Sequence, residues 1–424
     1  MGNLDYTQVL NKIENTRRFG NEPGVVVTAQ VIKVLREKGK QKRIIPYIHV
    51  AGTNGKGSVC AFFSSILKKE HMRVGTFVSP HLVDFEERIT VDGRMIPKED
   101  VTRLGNYLLD IDFGIGLTMF DYCLAMALLY FEEQQCDYMV IETGLGGRLD
   151  STNAIGTPQC AVITKIGYDH MAILGSDIAD IAAEKAGIIK ENGTVVVEQQ
   201  DKRAMQVIEQ EAKKKHARII TVEQSDIARC SGYALRLCGT FQWENAAAAE
   251  LAARYVLGKR YSGPEYEMQY DKTEPKREET DLNDRIKRAL EEAVWPGRME
   301  IVSKEPFLLV DGAHNSNGVD ALKESLMQMY PGEKFCFFMG VMADKDYDVM
   351  IREILPLAEE FYTVTPDSDR ALQASHLADF IRKEGVCATE LSGVDEIRKH
   401  LKRDTKNVAF GSLYFIGELK QHQI

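Results

Sequence analysis

No C-x-x-C pair occurs in the 424 residues, and the eight cysteines (60, 123, 136, 160, 230, 238, 336 and 387) are scattered. That spacing offers neither a zinc site nor a disulfide framework, so a reducing cytoplasm is the expected compartment. Long apolar runs are missing too. The longest, residues 117–131, is interrupted by Asp121 and is too short to span a bilayer, so it reads as a buried helix and no membrane partner is expected. The opening residues MGNLDY carry no apolar signal region, and Tyr6 stands where a myristoylation signal needs Ser or Thr. Positive charge is in deficit: 53 Lys and Arg against 63 Asp and Glu leave a net charge of -10. That balance argues against nucleic acid as a partner, and any anionic ligand must be held by local positive groups.

What is present belongs to an ordinary globular protein, with 44% hydrophobic and 27% charged residues. The length exceeds what one core serves and suggests two or three domains. Residues 1–43 read as helical and polar, ending in a basic cluster, REKGKQKR at 36–43, that is expected to be a solvated face. From residue 44 the pattern becomes strand (44–50), glycine-rich loop, helix (59–69) and strand (74–78). Further apolar runs at 138–141, 161–166 and 194–197 are separated by helix-length segments, which predicts a doubly wound, mostly parallel sheet with its ligands at the carboxyl ends of the strands. Segment 257–283, rich in Lys, Glu, Asp, Pro and Tyr, reads as an exposed insertion. After WPGR at 295–298 a second series follows at 307–310, 335–339, 361–364 and 408–410, giving a C-terminal α/β domain of about 125 residues.

The strand-to-helix junction reads HVAGTNGKGS from residue 49. Gly52, Gly55 and Gly57 allow a tight turn whose backbone N–H groups converge on a phosphate, with the helix dipole behind them and Lys56 adding a full charge. The generic pattern G-x-x-x-x-G-K-[ST] fails twice, with Val50 at its first glycine and Gly57 at its hydroxyl, so a plain glycine-rich turn stays open on this stretch alone. Polar groups follow the other strands: Ser79-Pro80-His81, then ETGLGGRLD at 142–150, then Gly167-Tyr168-Asp169-His170. Ser79, Glu142 and His170 each offer a lone pair and could hold Mg²⁺ beside a nucleotide. For His170 a hydrogen-bonding or capping role fits equally, since imidazole is an uncommon magnesium ligand. Lys185, within AEKAG, is either a surface lysine paired with an acid or an amine converted to a carbamate. Asn245 could cap or pack at the start of an alanine-rich helix.

Eight strings run in order from residue 49 to about 372: HVAGTNGKGSV, FVSPHL with FEERI, ETGLGGRLDSTN, ITKIGYDHMAILG, AEKAGI, WPGRME, DGAHN and PDSDRAL. Together they resemble the folylpolyglutamate and dihydrofolate synthases of the Mur ligase superfamily, ATP-dependent enzymes that form amides. The resemblance implies an α/β fold of two domains. The first, 1–296, is a P-loop-type ATP-binding domain with a mostly parallel sheet and the insertion near 257–283. The second, 297–424, is a smaller Rossmann-like glutamate ligase domain.

The same resemblance implies that Gly52, Thr53, Asn54, Gly55, Lys56, Gly57 and Ser58 cradle ATP, and that Ser79, Glu142 and His170 hold Mg²⁺ with a carbamylated Lys185. Asn245 matches a residue near the adenine, Arg298 one that reaches phosphate, Asp311 one near the ribose and His314 one close to the phosphates. Lys56, Lys185, His170 and His314 are the implied catalytic groups, with Lys345 and Arg370 on the substrate side. The implied reaction joins L-glutamate to the carboxylate of a folate, or of dihydropteroate, through an acyl phosphate, in a cytoplasmic monomer. Two positions depart from the usual strings, Ser316 where proline is common after DGAHN and Phe241 where histidine is common before Asn245. The competing readings are a ligase acting on a cell-wall precursor and a nucleotide-binding protein without catalysis.

Overall fold

The structure is a computed structural model and describes residues 3–16, 20–262 and 279–424, without the side chains of 259–262 and 279–280. Within it the chain divides into two compact units: Met1–His81, Phe85–Ala234 and Glu244–Ala293 form the first, and Leu82–Asp84, Leu235–Trp243 and Val294–Ile424 the second. Residues 82–84, 235–243 and 294–296, which a single cut after residue 296 assigns to the first domain, thus cluster with the second unit.

The first unit is built on eight strands. Five carry the site or flank it: β1 (Tyr47–Ala51), β2 (Val74–Phe77), β5 (Tyr138–Glu142), β6 (Cys160–Ile163) and β7 (Thr194–Val197), every residue of them buried. Strands covered on both faces can be apolar throughout, and that is the pattern the sequence showed. The hairpin β3 (Ile89–Val91) and β4 (Arg94–Met95) closes one edge antiparallel, and β8 (Arg218–Thr221) closes the other, in the order β4-β3-β2-β5-β1-β6-β7-β8. Strand β1 is central, with His49 in register between Ile141 of β5 and Ala161 of β6.

Four helices share a core over one face: α1 (Tyr6–Glu14), α2 (Gly24–Glu37), α4 (Lys98–Leu109) and α5 (Met119–Glu133). Beside them α7 (Ile178–Ala186) and α8 (Lys202–Lys214) pack on Ala51, β6 and β7. The phosphate-loop helix α3 (Lys56–Lys69) is joined to the helix Glu279–Glu292 by Ser65 Oγ donating to the Ala289 carbonyl at 2.6 Å and by the Arg285–Glu70 ion pair at 2.6 Å.

In the second unit the order is β13-β12-β11-β14-β10-β9. The strands are β9 (Glu300–Lys304), β10 (Phe307–Val310), β11 (Phe335–Met339), β12 (Ala358–Thr363), β13 (Ala388–Glu390) and β14 (Lys406–Phe410). All run parallel except β9, which pairs antiparallel with β10. Side chains of β11 alternate between two cores, Phe335, Phe337 and Met339 in one, Cys336 and Phe338 in the other, as the two-residue period of a strand requires.

Several expectations change in detail. Strand β1 starts three residues later than read, because Ile44 is 85% exposed. The N-terminal helices exist, but α2 is amphipathic rather than polar and buries Val27, Val31, Ile32 and Leu35. Helix α7 is capped by Asp177 and stops at Gly187. Of the segment read as an insertion, 263–278 lies outside the described residues, while its ends belong to α10 (Phe241–Ser262) and to Glu279–Glu292, so they continue ordered helices. Strands β3, β4, β8, β9 and β13 escaped notice because they lie at or near sheet edges and bury too little to need an apolar run.

Candidate active site

The loop between β1 and α3 is folded by its neighbours as much as by its glycines. Thr53 N and Asn54 N both donate to the Lys165 carbonyl, at 2.9 and 3.2 Å, while Thr164 Oγ1 donates to the Asn54 carbonyl at 2.6 Å. Thr53 Oγ1 in turn donates to the Gly167 carbonyl and accepts from Gly167 N, each at 3.0 Å. A Cβ on Gly52 would lie 1.8 Å from Thr164 Oγ1. Gly55 combines a φ of +87° with the Asn245 amide oxygen 2.3 Å from where its Cβ would stand. Both positions are therefore closed to any side chain. Gly55 is also the N-cap of α3, which no side chain caps, so the positive end of that helix lies behind Lys56, Gly57 and Ser58.

Two lysines meet on this loop. Lys185 Nζ donates to the Gly52 carbonyl at 2.7 Å, and Lys56 Nζ donates to the same carbonyl at 3.2 Å and to that of Thr53 at 3.3 Å. Lys56 also lies 3.8 Å from Glu142 Oε1, whose other oxygen accepts from Ser79 N at 3.1 Å. Lys185 is buried at the end of α7, and burial, reinforced by the charge of Lys56, lowers its pKa to about 7, against the opposing pull of Asp169 and Asp150. A lysine of that kind is neutral about half the time at pH 7.

Helix α7 is held in place by the loop after β5. A Cβ on Gly147 would be 2.8 Å from the Glu184 carbonyl and 3.0 Å from that of Lys185, so only glycine lets the loop lie this close. Arg148 N donates to the Glu184 carbonyl at 2.7 Å, and its guanidinium pairs with the Glu184 carboxylate. Asn153 Nδ2 bridges the carbonyls of Arg148 and Gly187 at 3.0 and 3.2 Å.

The structure thus gathers Gly52 to Lys56, Asn245, Ser79, Glu142 and Lys185 in the first unit. His170 stands apart in exposure: its ring is partly solvent-accessible, with Nε2 3.9 Å from Asp169 Oδ2, and it caps a short helical turn at a φ of +51°. No group of three or more His, Cys, Asp or Glu side chains with metal-binding geometry occurs among the described residues.

In the second unit Asp311 follows β10 and is buried. Its carboxylate accepts from Met299 N and Ala313 N, both at 2.8 Å, and burial raises its pKa against those bonds and the charge of Arg298. Arg298 Nη1 fills the space where a Cβ on Gly312 would stand, 2.0 Å away, and His314 Nδ1 lies 2.8 Å from the Gly312 carbonyl. Ser316 opens the helix Ser316–Met329 behind an Asn315 cap, a position that serine and proline both fit. Phe241 packs against the second unit's core. Arg370 grips Asp344 with both oxygens at 2.8 Å, and Ala343 N donates to the Arg370 carbonyl at 2.8 Å, so the loops after β11 and β12 are tied together. Lys345 lies in the same turn, its N–H on the Met342 carbonyl at 3.2 Å.

Residue-type reasoning passed over Thr164, Asp150, Thr152 and His49. The last left a signal, a titratable residue in the middle of an apolar strand. Burial, with a smaller push from Lys190, lowers its pKa to about 3. The folded value lies below the ordinary one of about 6.5, so stability from the neutral ring is complete above that pH. It is lost as pH falls toward 3, at about 1.4 kcal/mol per pH unit. Denaturant titrations between pH 6 and 4 should show a shallower loss in His49→Gln than in the parent; parallel slopes would contradict the burial of a neutral ring.

Known proteins resemble this chain in fold and in sequence. The chain fits family models for the Mur ligase middle domain over residues 50–253 and for the Mur ligase glutamate ligase domain over residues 297–411. A Bacillus subtilis protein named dihydrofolate synthase/folylpolyglutamate synthase is 33% identical over 98% of this chain and 98% of its own. A Lacticaseibacillus casei folylpolyglutamate synthase is 30% identical over 87% of each. Among solved structures, Mycobacterium tuberculosis folylpolyglutamate synthase complexed with ADP and AMPPCP superposes with a TM-score of 0.83 at 25% identity, over 99% of this chain and 98% of that one. E. coli FolC in complex with DHPP and ADP gives 0.80 at 26% identity, over 99% and 97%. The chain belongs to the folylpolyglutamate synthase/dihydrofolate synthase family of Mur ligases. No helix among the described residues is long and apolar enough to cross a membrane.

Proposed function

We propose that this chain is an ATP-dependent ligase that adds L-glutamate to the carboxylate of a folate, with the benzoate of dihydropteroate as an alternative acceptor that uses the same machinery. The observation that carries the reading is the meeting of Lys56 and Lys185 on one carbonyl of a glycine loop, beside Glu142, in a family of glutamate ligases. A carboxylate does not condense with an amine at neutral pH because its oxygen leaves poorly. Phosphorylation remedies that: the acceptor carboxylate attacks the γ-phosphorus of ATP, ADP departs, and the resulting acyl phosphate is attacked by the amine of glutamate, with phosphate leaving and the amine proton lost to solvent or base.

Lys56 and the backbone N–H groups of Gly55 to Ser58 are placed to bind the phosphates and offset charge on the transferred group. Glu142, Ser79 and His170, with a carbamate on Lys185, are the proposed holders of Mg²⁺. Hydroxyl, carboxylate and carbamate oxygens suit that hard ion. When bound, Mg²⁺ supplies charge neutralisation at the β- and γ-phosphates. The residues fit a carbamate: the amine is buried, half neutral near pH 7, and close to a second ammonium, so converting it to an anion with release of a proton would relieve like-charge repulsion. Asn245 is proposed for the adenine, Asp311 for the ribose, Arg298 and His314 for phosphate, and Lys345 and Arg370 for the substrate side. None of the eight cysteines, all among the described residues, is in a disulfide, which is in keeping with a cytoplasmic location.

The test is ADP release measured with folate and glutamate supplied separately and together. Release should require both, and parallel assays with tetrahydrofolate and dihydropteroate should identify the acceptor. Release indifferent to both substrates would sink the ligase reading and favour a nucleotide-binding protein without ligation. Turnover on a uridine-linked peptide precursor instead would assign the cell-wall reaction.

A further inference from the structure

Behind the loop that holds α7 lies a chain of hydrogen bonds that begins at the centre of the sheet. His49 on β1 is wholly buried, and its Nε2 lies 2.7 Å from Thr152 Oγ1. The Thr152 hydroxyl donates to Asp150 Oδ1, the oxygen that also accepts from Thr152 N at 2.9 Å. Asp150 Oδ2 accepts from Leu145 N at 2.8 Å, across the turn Gly144 to Gly147. The direction of the chain can be deduced. The threonine has one hydroxyl hydrogen and gives it to the carboxylate, so its oxygen can only accept from the imidazole. His49 is therefore the Nε2–H tautomer. Its Nδ1, which has no hydrogen-bond partner, then carries only a lone pair, and a buried acceptor left unpaired is the less costly of the two choices.

The far end of the chain is the loop against α7. Asp150 N closes on the Gly147 carbonyl at 3.2 Å, Gly147 lies against the Glu184 and Lys185 carbonyls, and Lys185 Nζ returns to Gly52, three residues along from His49. With Arg148 N donating to the Glu184 carbonyl at 2.7 Å, hydrogen bonds and close packing together link β1 through the 144–152 loop and the end of α7 back to the phosphate loop. A polar chain crossing an apolar core costs stability unless every link is made, which gives the links a positional meaning.

We propose that His49 is a positioning residue for the ligase reaction: through Thr152 it orients Asp150, and thereby fixes the 144–150 loop that presses Lys185 against Gly52. The assignment of its effect to catalysis rests on the ligase reading; the relay itself does not.

The experiment compares His49→Leu, His49→Gln, Thr152→Val, Thr152→Ser and the double variant His49→Leu/Thr152→Val. Residues that orient a first layer of ligands typically change activity by about 10- to 100-fold, so His49→Leu and Thr152→Val should lower kcat by about that much with KM for ATP little changed. Glutamine places an amide N–H about where Nε2 lies, and serine keeps the hydroxyl, so both should recover most of kcat. The double variant should be no worse than the poorer single, since each breaks the same chain. Full kcat in His49→Leu, or losses that multiply in the double variant, would overturn the relay. Should His49→Leu not fold, Thr152→Val against Thr152→Ser decides, and equal kcat in those two overturns it. Amide hydrogen exchange at Leu145 and Thr152 needs no substrate: it should quicken in Thr152→Val and stay slow in Thr152→Ser, so a failure of the ligase reading leaves the relay separately measurable.

Discussion

Lys56→Ala should fold as the parent does and lose only the phosphate-directed charge. Its kcat should fall by about 100- to 1,000-fold, corresponding to about 3–4 kcal/mol of lost transition-state stabilisation. The side chain bends back over its own loop, onto the Gly52 and Thr53 carbonyls, and fills no core. What it supplies is charge, at the start of α3 and 3.8 Å from Glu142. Lys56→Arg keeps the charge but not the compact ammonium, and because that site is a curled loop with two carbonyl acceptors, arginine should recover little. Steady-state kinetics and a melting curve together check this. A melting temperature near the parent's with collapsed kcat is the expected pair, and parental kcat in Lys56→Ala would remove the lysine from the mechanism.

Lys185→Ala should be equally inactive for a different reason. The pKa of about 7 makes the amine reactive toward CO₂ at neutral pH. Protein exposed to ¹³C-labelled CO₂ should therefore show a carbamate carbon signal that grows as pH rises through about 7 and is absent from Lys185→Ala. Short-chain carboxylic acids added to that variant should restore part of the activity by standing where the carbamate oxygens would be. Stability should move the other way. The folded pKa lies far below the ordinary lysine value of 10.5, so at pH 7 and below the folded state carries the cost of a buried, like-charge-facing amine. Lys185→Met removes that cost and should melt at least as high as the parent while remaining inactive. An active Lys185→Ala would refute the carbamate.

The two lysines also show how much could be read in advance. The loop that carries Lys56 was legible because a strand-to-helix glycine turn is local: strand, glycines, lysine and helix follow one another between Tyr47 and Lys69, and each constrains the next through backbone geometry. The parallel sheets were legible for a similar reason, since β5, β6, β7, β10 and β11 are covered on both faces and must be apolar along their length. Edge strands such as β8 and β13 bury little and left no such run. Lys185 was ambiguous. A lysine between small residues on a helix looks the same whether it faces water or Gly52, and only the resemblance favoured one choice.

Sequence by itself determined the strand and helix alternation, the glycine loop between β1 and α3, and through eight ordered strings the family. Those properties depend on neighbours along the chain, where side-chain period and turn chemistry act directly. Tertiary structure decided what the loop is pressed against: Thr164 and Asn245 at its glycines, Lys185 at its carbonyl, and His49 reaching Asp150 through Thr152. It also drew residues 82–84 and 235–243 into the second unit. Contacts of this kind join positions separated by 100 residues or more, such as His49 and Thr152 or Gly52 and Lys185. They exist only once the sheet has set its strand order, and that order brings β1 between β5 and β6 without any local pattern announcing it.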